Sequence, residues 1–160
     1  MSAHFLVILS PSKLMNETAQ AFQGEKSLPL FLNATETLCK ELKTVPASEW
    51  VKKMAISEEI ARNTCERFTS WNKKNISQGI PAALLFSGEA FKSLQASSLS
   101  KKEWSRAQKS LRILSGFYGV LKATDTALPY RLMVGTPYKT KDGISLYKYW
   151  SSLVTRSEEH

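Results

Sequence analysis

The sequence has few of the residues on which common catalytic and metal sites are built. Its 160 residues include two cysteines, Cys39 and Cys65, and two histidines, His4 and His160. Both cysteines fall inside predicted helices without a partner motif, which is typical of small buried hydrophobic residues. One histidine falls in a predicted strand and the other is the last residue, so a histidine-based metal site or a Ser/His catalytic pair is not expected. We therefore predict no metal site and no cofactor.

Long apolar runs are also missing. The run Phe5–Leu9 is too short for the core of a signal peptide, and no later run approaches the roughly 18 residues that a membrane span requires. These absences predict a cytoplasmic protein without a membrane partner. Hydrophobic residues make up 42% of the chain. That is enough to bury one core, so we expect a single domain over residues 1–160.

Acidic residues are outnumbered by basic ones, and the excess is concentrated in one segment. The chain has 22 Lys and Arg against 14 Asp and Glu, which gives a net charge of +8. Residues 101–148 contain 10 of the basic residues and only 3 of the acidic ones. Such a concentration favours a polyanionic partner, either a nucleic acid or a phosphorylated small molecule. A lysine-rich surface without a partner explains the charge equally well.

The hydrophobic pattern predicts a mixed α and β (α+β) domain, with a central sheet and several packing helices. Buried strands are predicted at His4–Leu9, in the middle of the sheet, and at Ala82–Phe86. Helices are predicted from about Pro29 to a point before Pro46, from an N-cap at Ser48, from an N-cap at Ser57, from a capping box formed by Ser100 and Glu103, and from Ile144 to Val154.

Two loops that follow the predicted strands carry charged side chains suited to ligand binding. Lys13, in the loop Ser10–Lys13, could meet a phosphate or a carboxylate, although a Pro turn with an exposed lysine is the simpler interpretation. Glu89, in the loop Ser87–Glu89, could act as a general base or a hydrogen-bond acceptor. A glutamate at the start of a helix is the commoner explanation.

The segment Leu111–Gly135 holds the densest group of candidate residues. Gly116 and Gly119 flank two aromatic residues, and paired glycines permit positive φ angles and expose amides against which a phosphate could lie. The element is similar to the hairpin between two helices that grips a nucleic-acid backbone, although that hairpin usually has one apolar residue between its glycines. A tight turn with core aromatic residues is the competing interpretation.

Basic residues surround one acid in this segment. Asp125 could transfer a proton or could orient Arg131, and the sequence favours neither role. The residues that could face an anion with it are Arg106, Lys109, Arg112, Lys122, Tyr130 and Arg131. A cleft lined by these residues would bind phosphates electrostatically, with an affinity that falls steeply as salt rises.

Several motifs together resemble one known family. The loop Ser10–Lys13, the stretches "LRILSGFYGVL" and "PYRL" within Leu111–Gly135, and "LYKYW" at Leu146–Trp150 occur in the order and spacing of the YaaA family of bacterial peroxide-stress proteins. The resemblance covers essentially the whole chain. It implies a cytoplasmic protein that protects cells from hydrogen peroxide, with a role in iron homeostasis that limits DNA damage. It also implies DNA binding through a positively charged cleft and a helix-hairpin-helix-like element.

The family pattern is matched at Ser10, Pro11, Lys13, Gly88, Arg112, Ser115, Gly116, Tyr118, Gly119, Asp125, Pro129, Tyr130, Arg131, Gly135, Tyr147 and Trp150. One departure is Met133, which stands where family members commonly have a glutamate. The family also continues beyond this endpoint with further strands and a basic C-terminal part. The chain therefore resembles the N-terminal portion, or a shortened member, of the family.

Two functional hypotheses follow. The first is a stress protein that binds DNA with little sequence preference, in which Tyr118 or Tyr130 stacks on a base. Its anion-binding residues would be Lys13, Arg112, Gly116, Tyr118, Gly119, Lys122, Tyr130 and Arg131. The second is an enzyme acting on a nucleotide or another phosphorylated small molecule in the same basic cleft, with Asp125 or Glu89 as the acid or base.

Overall fold

The structure is a computed structural model that describes residues 5–18 and 20–158. The predicted mixed α and β class is confirmed. His4, with which the first predicted strand begins, and His160 lie outside the described residues. The elements in chain order are β1 (Val7–Leu9), α1 (Leu32–Leu42), α2 (Ala47–Met54), α3 (Glu58–Ser70), a 3-10 helix (Lys73–Gln78), β2 (Ile80–Pro81), α4 (Ala82–Leu85), α5 (Glu89–Leu94), a second 3-10 helix (Ala96–Ser98), α6 (Lys101–Ser110), β3 (Leu111–Ser115), β4 (Gly119–Lys122), β5 (Thr126–Ala127) and α7 (Leu146–Glu158).

The strands form two small sheets. The larger has the order β1-β3-β4, and β1 pairs with β3 in parallel, with Val7 opposite Leu111. The smaller joins β2 and β5 in antiparallel, with Ile80 opposite Ala127. The prediction that β1 is a buried strand in the middle of the sheet is wrong. It lies at an edge, and Phe5 and its neighbours up to Ile8 are exposed.

The second predicted strand, Ala82–Phe86, is also wrong, because Ala82–Leu85 forms the single-turn helix α4. All four of its residues are buried. A short apolar run does not distinguish a buried strand from a buried helical turn, and alanine and leucine both favour the helix. The amides of Ala82 and Ala83 donate to the carbonyl oxygens of Asp125 and Ala123, which fixes the start of α4.

The helix-capping predictions are mostly confirmed. The Ser57 hydroxyl accepts a hydrogen bond from the amide of Ile60 at 3.2 Å, as expected of an N-cap. Ser100 and Glu103 form the predicted capping box that opens α6. The N-cap at Ser48 is wrong, since α2 begins at Ala47 and Ser48 lies in its first turn. Helix α1 begins at Leu32, three residues after the predicted start at Pro29, and it ends before Pro46 as predicted. Helix α7 begins two residues later than predicted.

The chain divides into two compact units. The first contains all of β1, β2 and β5 and most of β3 and β4. Unit one comprises the residues up to Leu30 together with Lys74–Leu114 and Val120–Pro129. Its core is built around Trp104, whose ring meets the ring of Phe22 edge-on at a centroid distance of 4.8 Å. The other buried members of this core are Ala83, Leu84, Ala96, Leu111 and Ala123.

Unit two comprises Phe31–Lys73, Ser115–Gly119 and the chain from Tyr130 onward. It contains α1, α2, α3 and α7. Its core is aromatic, and its fully buried rings are those of Trp50, Phe68, Phe117 and Tyr118. Among the described residues of the whole chain, no helix has both the length and the apolar character needed to cross a membrane.

Candidate functional site

The segment around Gly116 is a turn between two strands. Strand β3 ends at Ser115, residues 116–118 turn, and β4 begins at Gly119. The two strands are hydrogen-bonded neighbours in the larger sheet. The helix-hairpin-helix-like element predicted here is therefore wrong, because a strand and not a helix lies on each side of the glycines. The competing interpretation, a tight turn with core aromatic residues, describes the segment.

Both glycines of the turn are required by packing. A Cβ atom on Gly116 would lie 2.3 Å from the carbonyl oxygen of Leu132, a backbone atom that cannot swing aside. Gly119 has a φ of +80°, and a Cβ atom there would lie 2.5 Å from the ring of Trp150. A side chain at either position would collide with its surroundings. The two glycines are thus needed because other atoms of unit two lie very close to their backbone.

The backbone groups of the turn are occupied within the protein. The Ser115 hydroxyl oxygen accepts hydrogen bonds from the amides of Phe117 at 3.2 Å and Tyr118 at 3.0 Å. The carbonyl oxygen of Gly116 accepts one from Nε1 of Trp150 at 2.8 Å. Two of the amides that we expected to face a phosphate therefore already have an acceptor. Anion binding by the amides of Gly116 and Gly119 stays a prediction.

The two candidate tyrosines are buried in the same aromatic core. Tyr118 is 0% and Tyr130 is 2% exposed. The hydroxyl of Tyr118 accepts a hydrogen bond from Nε1 of Trp71 at 3.0 Å, and the Tyr130 and Ser115 hydroxyls are 2.6 Å apart. Burial raises the pKa of Tyr130 far above its usual value. A ring that stacks on a base must expose a face. The expected stacking therefore does not fit this geometry.

Asp125 lies buried in unit one with both carboxyl oxygens engaged. Oδ1 accepts from the Ser27 hydroxyl at 2.6 Å, and Oδ2 accepts from the amide of Lys122 at 2.8 Å. Burial raises the pKa of this carboxyl, and the hydrogen bonds from Ser27 and Lys122 oppose that rise. Its backbone carbonyl oxygen also accepts a hydrogen bond from the amide of Ala82, the first residue of α4. These contacts tie together three segments of unit one, so the structural role of Asp125 is accounted for without a ligand.

Arg112 is half-buried and is used inside the protein. Its Nη1 donates to the carbonyl oxygens of Gln108 at 2.8 Å and Leu111 at 2.9 Å. These oxygens lie at the C-terminal end of α6, where carbonyls lack partners within the helix and a positive charge is favourable. Arg112 thus stabilises the end of α6. A role in anion binding stays a prediction.

The remaining predicted site residues lie in different settings. Lys13 and Lys122 are exposed in unit one, and Arg131 is half-buried in unit two. Glu89 is 95% exposed at the start of α5 and lies 3.9 Å from Nζ of Lys92. An exposed glutamate beside a lysine fits the helix-start explanation better than that of a general base. Their roles in binding or proton transfer stay predictions.

A cavity in unit one offers a place for a small molecule. Its volume is about 400 Å³, and its polar lining includes Asn16, Gln20, Ser87, Lys92 and Gln95. Neither acid proposed for an enzyme, Asp125 or Glu89, is among its lining residues. The cavity therefore lacks the acid or base that the enzyme hypothesis needs.

The basic face of α6, which consists of Lys102, Arg106 and Lys109, was not recognised as a group from the sequence. All three side chains are exposed. Their spacing of four and three residues places them on one side of the helix, opposite Trp104, which is buried. The signal was available, because the capping box fixes where α6 starts and the helical period then fixes which residues share a face.

The comparison with protein families identifies the chain. A family model described as peroxide stress protein YaaA matches residues 5–159. The chain belongs to the YaaA peroxide stress family. The resemblance drawn from the sequence motifs is thereby confirmed over nearly the whole chain.

Curated relatives agree with this assignment. A UPF0246 protein of Shewanella sediminis is 36% identical over 151 residues, which make up 94% of this chain and 59% of the relative. One of Shewanella woodyi is 36% identical over 154 residues, with the same coverage. One of Phenylobacterium zucineum is 35% identical over 150 residues, or 94% of this chain and 56% of the relative. The chain thus spans less than two thirds of the length of these family members.

Proposed function

We propose that this YaaA-family chain is a peroxide-stress protein that binds DNA with little sequence preference through the basic face of α6, and so helps to limit iron-dependent oxidative damage. The observation that carries the proposal is the exposure of Lys102, Arg106 and Lys109 on one side of one helix. The family name supplies the peroxide response. The basic face supplies the chemistry that would meet a polyanion.

The helix is held so that this face points away from the core. Trp104 is buried on the opposite side and packs against Phe22. The one acid of α6, Glu103, has its carboxylate engaged by the amide of Ser100 at 3.0 Å. In the part of the chain that the structure describes, none of the three cations of the basic face forms an ion pair. The charge of this face is thus available to phosphates.

The contacts available to this face predict how the binding should behave. Lysine and arginine contacts to phosphates release counterions, so the affinity falls as salt rises, by a slope of about 0.9 per phosphate contact on a log-log scale. Such contacts carry no base information. The buried tyrosines and the occupied amides of the glycine turn supply no base contact either. We therefore expect binding that depends on salt and hardly on sequence.

The experiment is fluorescence-anisotropy binding of the full 160-residue chain to several short duplexes of different sequence across a salt series. The test variant is Lys102→Gln, Arg106→Gln and Lys109→Gln combined. We expect it to lower the salt slope by about 2 to 3 and to weaken binding at low salt by at least about tenfold. The matched control, Lys40→Gln, Lys43→Gln and Lys52→Gln, removes the same charge from exposed sites in unit two.

Equal weakening by the test and control variants would contradict a specific interface on α6, since it would leave only the net charge. No binding by the folded chain at low salt would contradict the DNA-binding proposal itself. Survival of bacteria after a hydrogen peroxide challenge, with either variant expressed in place of the native chain, tests the link to stress. We expect protection to be lost with the α6 variant and kept with the control.

A further inference from the structure

The outer edge of β1 is an unusual surface of unit one. β1 pairs on one side with β3, through Val7 with Leu111, Ile8 with Arg112 and Leu9 with Ile113. Among the described residues, no strand pairs with its other side. The amide and carbonyl groups that point outward from an edge strand form a ready template for another strand.

The side chains around this edge are apolar and exposed on both faces. Phe5 is 76% and Ile8 is 57% exposed, and Leu6 and Val7 are exposed as well. Successive side chains of a strand point to opposite faces, so neither face of β1 is covered along this run. We call Phe5–Ile8 the apolar edge. It contains no lysine, proline or other residue that natural edge strands use to discourage pairing.

Parallel strand pairs are normally covered on both faces, which makes this exposure unusual. Unit one contains four other exposed leucines, which are Leu14, Leu28, Leu30 and Leu114. Eight of the eleven large exposed hydrophobic residues in the described part of the chain therefore belong to unit one. Unit two, whose apolar side chains are mostly buried, shows no comparable concentration. The consecutive exposed residues of the apolar edge, in particular, have the character of an interaction surface.

We propose that the apolar edge accepts an added apolar β-strand, and that this strand belongs to the part of a YaaA-family chain that these 160 residues do not match. The matched region is 59% of the Shewanella sediminis relative, so about two fifths of that relative lies outside it. A segment of that length can supply both a strand to pair with β1 and apolar side chains to cover its faces. This pairing is independent of the basic face of α6 and of the proposed DNA binding.

The test uses the full 160-residue chain co-expressed with the part of the Shewanella sediminis relative that lies outside the matched 151 residues. We expect the two polypeptides to purify as a one-to-one complex. Hydrogen exchange at residues 5–9 should slow by about tenfold or more in the complex. In the intact relative, the corresponding strand should be protected to a similar degree.

Paired lysine variants test whether the complex depends on the apolar edge or on exposed apolar residues in general. Leu6→Lys with Ile8→Lys should weaken the complex by about tenfold or more, since it places two charges where apolar contacts form. The control Ile60→Lys with Ile144→Lys changes two exposed apolar residues of unit two and should leave the complex intact. All four positions are exposed, so we expect both variants to fold like the parent chain.

Three outcomes would overturn the proposal. One is fast exchange of the corresponding strand in the intact relative, which does not depend on whether the separate part folds. Another is a complex that tolerates Leu6→Lys with Ile8→Lys. The third is a dimer of this chain alone in which residues 5–9 become protected, because a second copy would then be the occupant.

Discussion

The turn at residues 116–118 and the strand β1 are both short and apolar, yet their surroundings differ completely. The turn is enclosed by unit two, with the hydroxyl of Ser115 bonded to its amides and the ring of Trp150 bonded to its carbonyl. β1 has one neighbouring strand, and the residues of the apolar edge are exposed. The glycine motif, which suggested a ligand site, thus serves the packing of unit two. The run Phe5–Leu9, which suggested a buried core strand, lies at the exposed edge of the sheet.

The residue patterns of the turn and of the apolar edge are unusual for two different reasons. Glycines, a serine and aromatic residues gather at the turn because backbone segments approach closely there and every polar group needs a partner. The apolar edge is unusual for the opposite reason, since its side chains have the composition of a core without the contacts of one. Substitutions at the two places should therefore have very different consequences for stability.

The largest effect is expected for Gly116→Ala. The new methyl group would lie 2.3 Å from the carbonyl oxygen of Leu132, so the backbone must shift. We expect the free energy of unfolding to fall by about 3 kcal/mol. Urea denaturation followed by tryptophan fluorescence measures it. Gly135→Ala is the control, because nothing lies within 4 Å of the place that its new methyl group would occupy, and equal effects of the two changes would refute the close packing of the turn.

A smaller loss is expected for Ser115→Ala. The change removes the acceptor of two buried amides and the partner of the Tyr130 hydroxyl. Buried groups left without a partner cost about 1 to 3 kcal/mol, so we expect a loss of about 2 kcal/mol. The same denaturation experiment measures it, with Ser98→Ala at an exposed site as the control. A loss below about 0.5 kcal/mol would mean that the amides of the turn do not depend on Ser115.

The smallest effect is expected at the apolar edge. Ile8 is 57% exposed, whereas Ile113 on the neighbouring strand is fully buried. Ile8→Ala should change the free energy of unfolding by less than about 0.5 kcal/mol, and Ile113→Ala should lower it by about 3 kcal/mol. Urea denaturation of both variants at low protein concentration measures the two changes in the free energy of unfolding. Similar losses would show that β1 is already covered in solution.

Parts of this structure could be predicted because the sequence specifies them locally. The N-cap at Ser57 and the capping box of Ser100 and Glu103 each depend on residues within one helical turn, and both predictions are confirmed. The family could also be predicted, since its motifs keep their order and spacing over most of the chain. The basic face of α6 follows from the same local information, once the start of the helix is fixed.

Other parts could not be predicted, because distant residues decide them. An apolar run such as Ala82–Leu85 suits a strand or a helical turn equally, and its partners about 40 residues away select the helix. Burial is decided in the same way. Asp125 accepts a hydrogen bond from Ser27, which lies almost 100 residues away in the chain, and no local sequence pattern predicts that contact.

The sequence by itself determined the starts of α3 and α6, the surplus of positive charge, the mixed α and β class and the membership of the YaaA family. These features depend on composition, on helical period and on residues that are near neighbours in the chain. Only the tertiary structure decided that the glycine turn faces inward, that Arg112 binds the carbonyls at the end of α6 and that β1 lies exposed at an edge. Exposure and hydrogen-bond partners depend on which distant segments meet, and packing between those segments fixes them.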